Sequence, residues 1–113
     1  MKNSYITNHF AIDDPAIEVQ NFVRKYEAKY DSKPDTLAAL GYDTVYVLKS
    51  ALRRAKTTDG EKLRDALAAT KDFSGVAGKI RNFDSSRNAL KPVVILKLNE
   101  NDARFVYHAA IQP

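Results

Sequence analysis

KPDTLAALGYDTVYVLKSALRRA, residues 33–55, joins two different halves in one helical stretch. Its second half is an ordinary amphipathic helix. Leu40, Thr44, Val47, Leu48, Ala51, Leu52 and Ala55 recur at helical spacing. The opening turns are unusual. Leu37 to Gly41 reads LAALG, without charge and with little bulk, where caps and acids are normally favoured. Leu37, Gly41 and Val45 widen the apolar stripe to a second side, so the helix is expected to meet more than one neighbour. Either the small opening turns are buried, or something docks on them.

Working upstream, Pro34 in DSKPD forbids continuation of the preceding helix. That helix is predicted to open at Asp14 as N-cap, with Pro15 at the first helical position. Val19, Phe22, Val23, Tyr26 and Tyr30 form one stripe, and Glu18, Asn21, Arg24, Lys25 and Lys29 the other side. Ahead of it, Ser4 to Phe10 alternates as a short strand running into a loop. Downstream, Thr58 and Glu61 fit a capping box for a third helix, with Leu63, Ala66, Leu67 and Thr70 as its stripe. Gly75 and Gly78 break the helical period, and Gly78 to Phe83 reads as a short strand. After the turn DSSRN, Pro92 to Leu98 is β-prone and apolar on both faces, as in a covered strand. NEND is a turn, and ARFVYHAAI closes a hairpin. The predicted class is α/β: three helices, short strands and a C-terminal β-hairpin. The first strand must pair with that hairpin across mostly helical chain.

Composition narrows the function. With 113 residues the chain is the size of one domain, and 44% hydrophobic against 28% charged residues is a globular balance. No apolar run approaches the length that spans a bilayer. MKNSYITNHF lacks a basic-then-apolar leader, so no export signal is expected in it. Net charge is +4, but the bases are dispersed; the densest cluster is KSALRRAK, Lys49 to Lys56. A solvated surface is expected rather than a nucleic-acid partner. There are no cysteines, which excludes disulfides, thiolate zinc sites and cysteine catalysis.

Nor do the remaining residues assemble a reaction. Asp13 and Asp14 are adjacent acids, but capping accounts for Asp14. His9 and His108 lie far apart, with no acid at metal-ligand spacing. His108 is expected on the surface, and His9 at a hinge or cleft. Ser85 and Ser86 are turn residues. Gly75 and Gly78 lack the Lys-Ser/Thr of a phosphate loop. Tyr26, Tyr30 and Tyr46 fall at core-like spacing. No enzyme activity, cofactor or metal is expected.

Taken in order, FVRKYEAKY before a proline, AALGYDTVYVLKSALRRA, LRDALAATKDFSGVAGKI and NFDSSRNALKPVVILKL with a closing aromatic strand resemble one family. The chain resembles the C-terminal portion of a type I periplasmic binding protein, of the branched-chain amino-acid (leucine/isoleucine/valine-binding) ABC transporter receptors. The resemblance covers nearly the whole chain. One departure is KIRNFD, where Asn82 reads as an inserted bulge residue.

The resemblance implies a fragment of a two-lobed fold whose ligand lies between the lobes. Residues 1–113 form a single segment, with roughly 10–90 in the first lobe and 1–9 and 91–113 in the second lobe and hinge. The segment then contributes one wall of a cleft for a branched-chain amino acid or similar small carboxylate. When Tyr42 is matched to the family's tyrosine, Leu37 takes the place of an apolar ligand-contacting residue, with Ala38 and Ala39 beside it. Free backbone N–H groups at that helix start would suit an anionic or polar group. The alternative at these residues is simple packing of Leu37 to Gly41 on a neighbour. The implied partners of the intact protein are the ligand and an ABC permease, in the periplasm or lipid-anchored outside the cell. A homodimer of the isolated chain is expected to cover its bared apolar surfaces. The competing function is a freestanding basic interaction module for protein or nucleic acid, with Lys49, Arg53, Arg54 and Lys56 as its patch. An intracellular regulatory domain of receptor-like fold is a third reading.

Overall fold

A computed structural model describes residues 3–113. The elements run β1 (Tyr5–Asn8), α1 (Ile17–Tyr30), α2 (Thr36–Ala55), α3 (Gly60–Ala68), β2 (Lys71–Gly75), β3 (Gly78–Phe83), β4 (Ala89–Leu90), β5 (Val93–Asn99) and β6 (Arg104–Ile111). The three helices and the closing hairpin are where the periodicity puts them. Strands β2 and β4 were not foreseen. KDFSG lacks the β-branched residues that mark a strand, and it is held by its antiparallel partner β3.

Two three-stranded antiparallel sheets result, ordered β1-β5-β6 and β2-β3-β4. In the first, Tyr5 pairs with Lys97 and Asn8 with Val94, so the chain start does pair with the hairpin. Register corrects one expectation. Asn82 is no bulge: it sits in regular register opposite Lys71 and Leu90. The irregularity falls in the hairpin. Ile95 pairs with Ala109 and Leu96 with Tyr107, which leaves His108 as the extra residue of β6. His108 is exposed, its ring 5.2 Å from that of Tyr5.

Helix starts also differ in detail. Helix α1 begins after Ala16, which makes no side-chain cap. Asp14 instead accepts the Ala16 N–H at 2.9 Å and forms a turn, leaving Pro15 outside the helix. For α3 the cap is Asp59, not Thr58, accepting from Lys62 N–H at 3.1 Å. An aspartate one residue closer to the helix serves as well as the threonine, and the capping box is not made. Helices α1 and α2 end at Asp31 and Lys56, both in the left-handed conformation.

Apolar residues gather in two clusters. The larger holds Phe10, Val19, Phe22, Val23, Ala39, Val76 and Ala77. The smaller holds Ala11, Val94 and Leu96, with Tyr107 against it. Adjacent residues Phe10 and Ala11 thus feed different cores, and the chain between β1 and α1 is where the two meet. Asp13 ties them further, its carboxylate accepting the Tyr107 N–H at 3.0 Å. The molecule measures 52 × 33 × 19 Å. Its radius of gyration is 16.0 Å, against about 13 Å for a compact domain of this length.

Candidate functional site

Helix α2 positions the expected ligand-contacting residues, and it separates them. Two residues turn an α-helix by roughly 200° and five by roughly 140°. Leu37 therefore projects away from Ala39 and Tyr42. Leu37 is 75% exposed, whereas Ala39 is fully buried in the larger core at 0%. Ala38 and Tyr42 are half-buried against that same core. The Tyr42 ring packs 4.9 Å from Phe22 and 4.6 Å from Tyr46. Of the four, only Leu37 stands wholly in the open. Gly41 and Val45 continue its stripe: a Cβ on Gly41 would meet nothing within 4 Å, and Val45 is 63% exposed.

The helix start itself is not the bare anion seat that the sequence implied. Asp35 caps α2, its carboxylate accepting the Ala38 N–H at 2.8 Å. A negative charge thus already satisfies one of the free donors. What remains at this end is an apolar side chain beside a carboxylate, a surface suited to an aliphatic group or an ammonium more than to an anion.

A second arrangement, which sequence reasoning missed, ties α2 to the β2–β3 turn. Asp43, 7% exposed, reaches across to the turn between β2 and β3. It accepts from Val76 N–H and Ala77 N–H, each at 2.8 Å. Lys91 donates to the Ala77 carbonyl at 2.9 Å. Burial pushes the Asp43 carboxyl above its ordinary range, while the two N–H bonds and the Lys91 charge pull the other way. Burial likewise lowers the Lys91 ammonium. The signal was present: Asp43 is the lone acid in the buried series Ala39, Asp43, Val47, Ala51, spaced by four. A charge on a core stripe needs a partner.

His9 borders a crevice of about 210 Å³ where the two cores meet, with Phe10, Ala11, Gly78, Pro92 and Val94 among its walls. Gly78 takes φ +102° there, a backbone that a side chain would strain, with Pro92 against it.

The comparisons with known proteins identify the family in which this arrangement occurs. A model of the periplasmic binding protein family matches residues 1–103. The chain belongs to the periplasmic binding protein family. A leucine-binding protein from Thermotoga maritima is 32% identical with a TM-score of 0.80, over 98% of this chain and 31% of that one. A branched-chain amino acid ABC transporter protein from Rhodospirillum rubrum, described as putative, is 34% identical with a TM-score of 0.78, over 92% of this chain and 30% of its own. An ABC transporter substrate-binding protein from Desulfitobacterium hafniense, in complex with Leu, is 30% identical with a TM-score of 0.80. The fold is therefore that of a segment of a periplasmic binding protein, and the chain spans about a third of the length of these relatives. Among the described residues no helix is long and apolar enough to cross a membrane.

Proposed function

We propose that this segment is the C-terminal part of a solute receptor of an ABC importer, binding a branched-chain amino acid or a similar small carboxylate without chemical change. In this reading residues 10–90 belong to the first lobe and residues 1–9 and 91–113 to the second lobe and hinge. The chain passes from one core to the other at Phe10 and Ala11, next to the proposed boundary, with Ala11 packing on Val94 and Leu96. The intact receptor acts in the periplasm, or lipid-anchored outside the cell, and delivers ligand to an ABC permease.

The observation that carries the reading is the bare apolar start of α2. Leu37 is three-quarters exposed at the start of a helix whose Ala39 side is packed into the larger core. We assign Leu37 to direct contact with the ligand's aliphatic part. Ala38, Ala39 and Tyr42 support it from behind by fixing α2 against α1. Alone, the segment offers one wall. A half-cleft cannot bury most of a ligand's surface, as working sites do, so the isolated chain should bind amino acids no tighter than about micromolar, if at all. Unpaired, its bared stripe leads to a homodimer.

The decisive experiment replaces the matching third of the Thermotoga maritima leucine-binding protein with this chain and measures leucine binding by calorimetry. Binding that falls at least roughly tenfold with Leu37→Glu, about 1.4 kcal/mol or more, supports the assignment. A graft that folds and binds leucine equally well with Leu37→Glu removes Leu37 from the site.

A further inference from the structure

Beyond the core contact of Ala39, the same side of helix α2 opens into a groove toward its C-terminal half. Tyr46 lies nine residues beyond Leu37, roughly 180° around the helix. There Tyr46, Lys49, Ser50, Arg53 and Arg54 face Phe73 of β2 across a groove of about 330 Å³. Three cations line it and no acid does. Among the described residues none of the three forms an ion pair. Arg54 is held from two sides: its Nε donates to the Ser50 carbonyl at 3.4 Å and its Nη2 to Thr70 Oγ1 at 2.9 Å. Thr70 is itself buried, at 2% exposure. The fork is thus fixed before any ligand arrives, and the entropy of ordering it is already spent in the fold. Lys49 Nζ lies 5.4 Å from the Tyr46 ring centre, and Tyr46 remains 42% exposed.

We propose that this groove is a binding site for a phosphate group carried on a small ester, distinct from the amino-acid cleft. Guanidinium and ammonium donors supply charge-assisted hydrogen bonds to its oxygens. The Tyr46 and Phe73 rings flank the organic part. The site does not depend on the receptor reading, because none of its lining residues is among those assigned to the amino-acid wall. The same chemistry serves a soluble phosphate ester or an anionic phospholipid headgroup, and the test separates the two.

The test titrates the full 113-residue chain with glycerol 3-phosphate, followed by the amide shifts of residues 46–54 and 73. In parallel it is sedimented with vesicles of phosphatidylglycerol or of phosphatidylcholine. The double variant Lys49→Gln/Arg53→Gln should weaken binding roughly tenfold or more. Both residues are exposed, so its melting temperature should be that of the parent. Arg64→Gln/Arg87→Gln removes the same charge from another face and should leave binding unchanged. Binding of glycerol 3-phosphate assigns a soluble ester. Binding only of phosphatidylglycerol vesicles assigns a headgroup. Equal losses in the two double variants would reduce the effect to net charge and overturn the site. So would absence of binding to either probe.

Discussion

Asp43 on α2 occupies the space in which a side chain at Gly75 would lie. A Cβ on Gly75 would fall 2.7 Å from Asp43 Cγ and closer still to Oδ2. The carboxylate cannot step aside, because it is buried and held by two N–H groups of the β2–β3 turn. The same contact that fixes this turn against the helix thus dictates a glycine beside it.

Gly75→Ala should accordingly destabilise the chain by about 1–3 kcal/mol, the cost of overpacking a closed site. Asp43→Ala leaves the Val76 and Ala77 N–H groups buried without partners and should cost about 2–5 kcal/mol. In the double variant the clash disappears, so the two costs should not add. Urea unfolding of the three proteins is the measurement. Strict additivity would mean that Asp43 and Gly75 are not in contact.

Asp43 also predicts a pH dependence. Its folded pKa is raised above the ordinary 3.8, with burial the largest cause. A raised carboxyl contributes stability that is fully present below the unfolded pKa and is lost as pH rises through the folded one. Asp43→Asn lacks that contribution. The wild type should therefore gain on Asp43→Asn as pH falls from neutral toward 3.8. The carboxylates of Asp72, Asp84 and Asp102 are shifted downward, but they are common to both proteins and cancel in the comparison. Unfolding curves across that range test it. A wild type that loses stability relative to Asp43→Asn on acidification would show that the N–H bonds outweigh burial.

Tyr42 and Tyr46 should titrate apart. The neighbouring Tyr46 hydroxyl, with burial adding, pushes Tyr42 up to about 12. The Tyr42 hydroxyl in turn lowers Tyr46, helped by the Lys49 and Lys25 charges. In an ultraviolet absorbance titration Tyr46→Phe should bring the late Tyr42 step down toward 10.0. A step that stays where it was would assign the shift to burial alone.

Leu37, Val45 and Leu48 leave an apolar stripe in solvent. Burying apolar surface contributes about 25 cal/mol per Å², so a few hundred Å² of such surface is a strong drive to association. Light scattering of the chain at micromolar concentration should give a mass above 12.7 kDa. Val45→Lys together with Leu48→Gln should return it to the monomer. A parent chain that stays monomeric would mean that the stripe needs no cover.

The sequence by itself determined the local structure. Helical periodicity placed α1, α2 and α3, Pro34 divided the first two, and β-branched residues after Pro92 placed the hairpin, because these signals act between neighbours in the chain. The ordered motifs carried the family and the fold class. Local signals failed where a competing partner stood one residue away, as at Asp59, or across the chain. Strand β2 has a weak propensity of its own and exists because β3 pairs with it. His108 is a bulge because of the register of β5. Tertiary structure also decided which of the proposed contact residues reach solvent. In the sequence Leu37, Ala38, Ala39 and Tyr42 form one run, but helical rotation exposes Leu37 and buries Ala39. Asp35 fills part of the helix start that the apolar run had seemed to leave open. Helical periodicity put Asp43 on the buried stripe without showing its partner. Only the fold, by bringing the Val76–Ala77 turn against it, made it the residue that ties α2 to that turn.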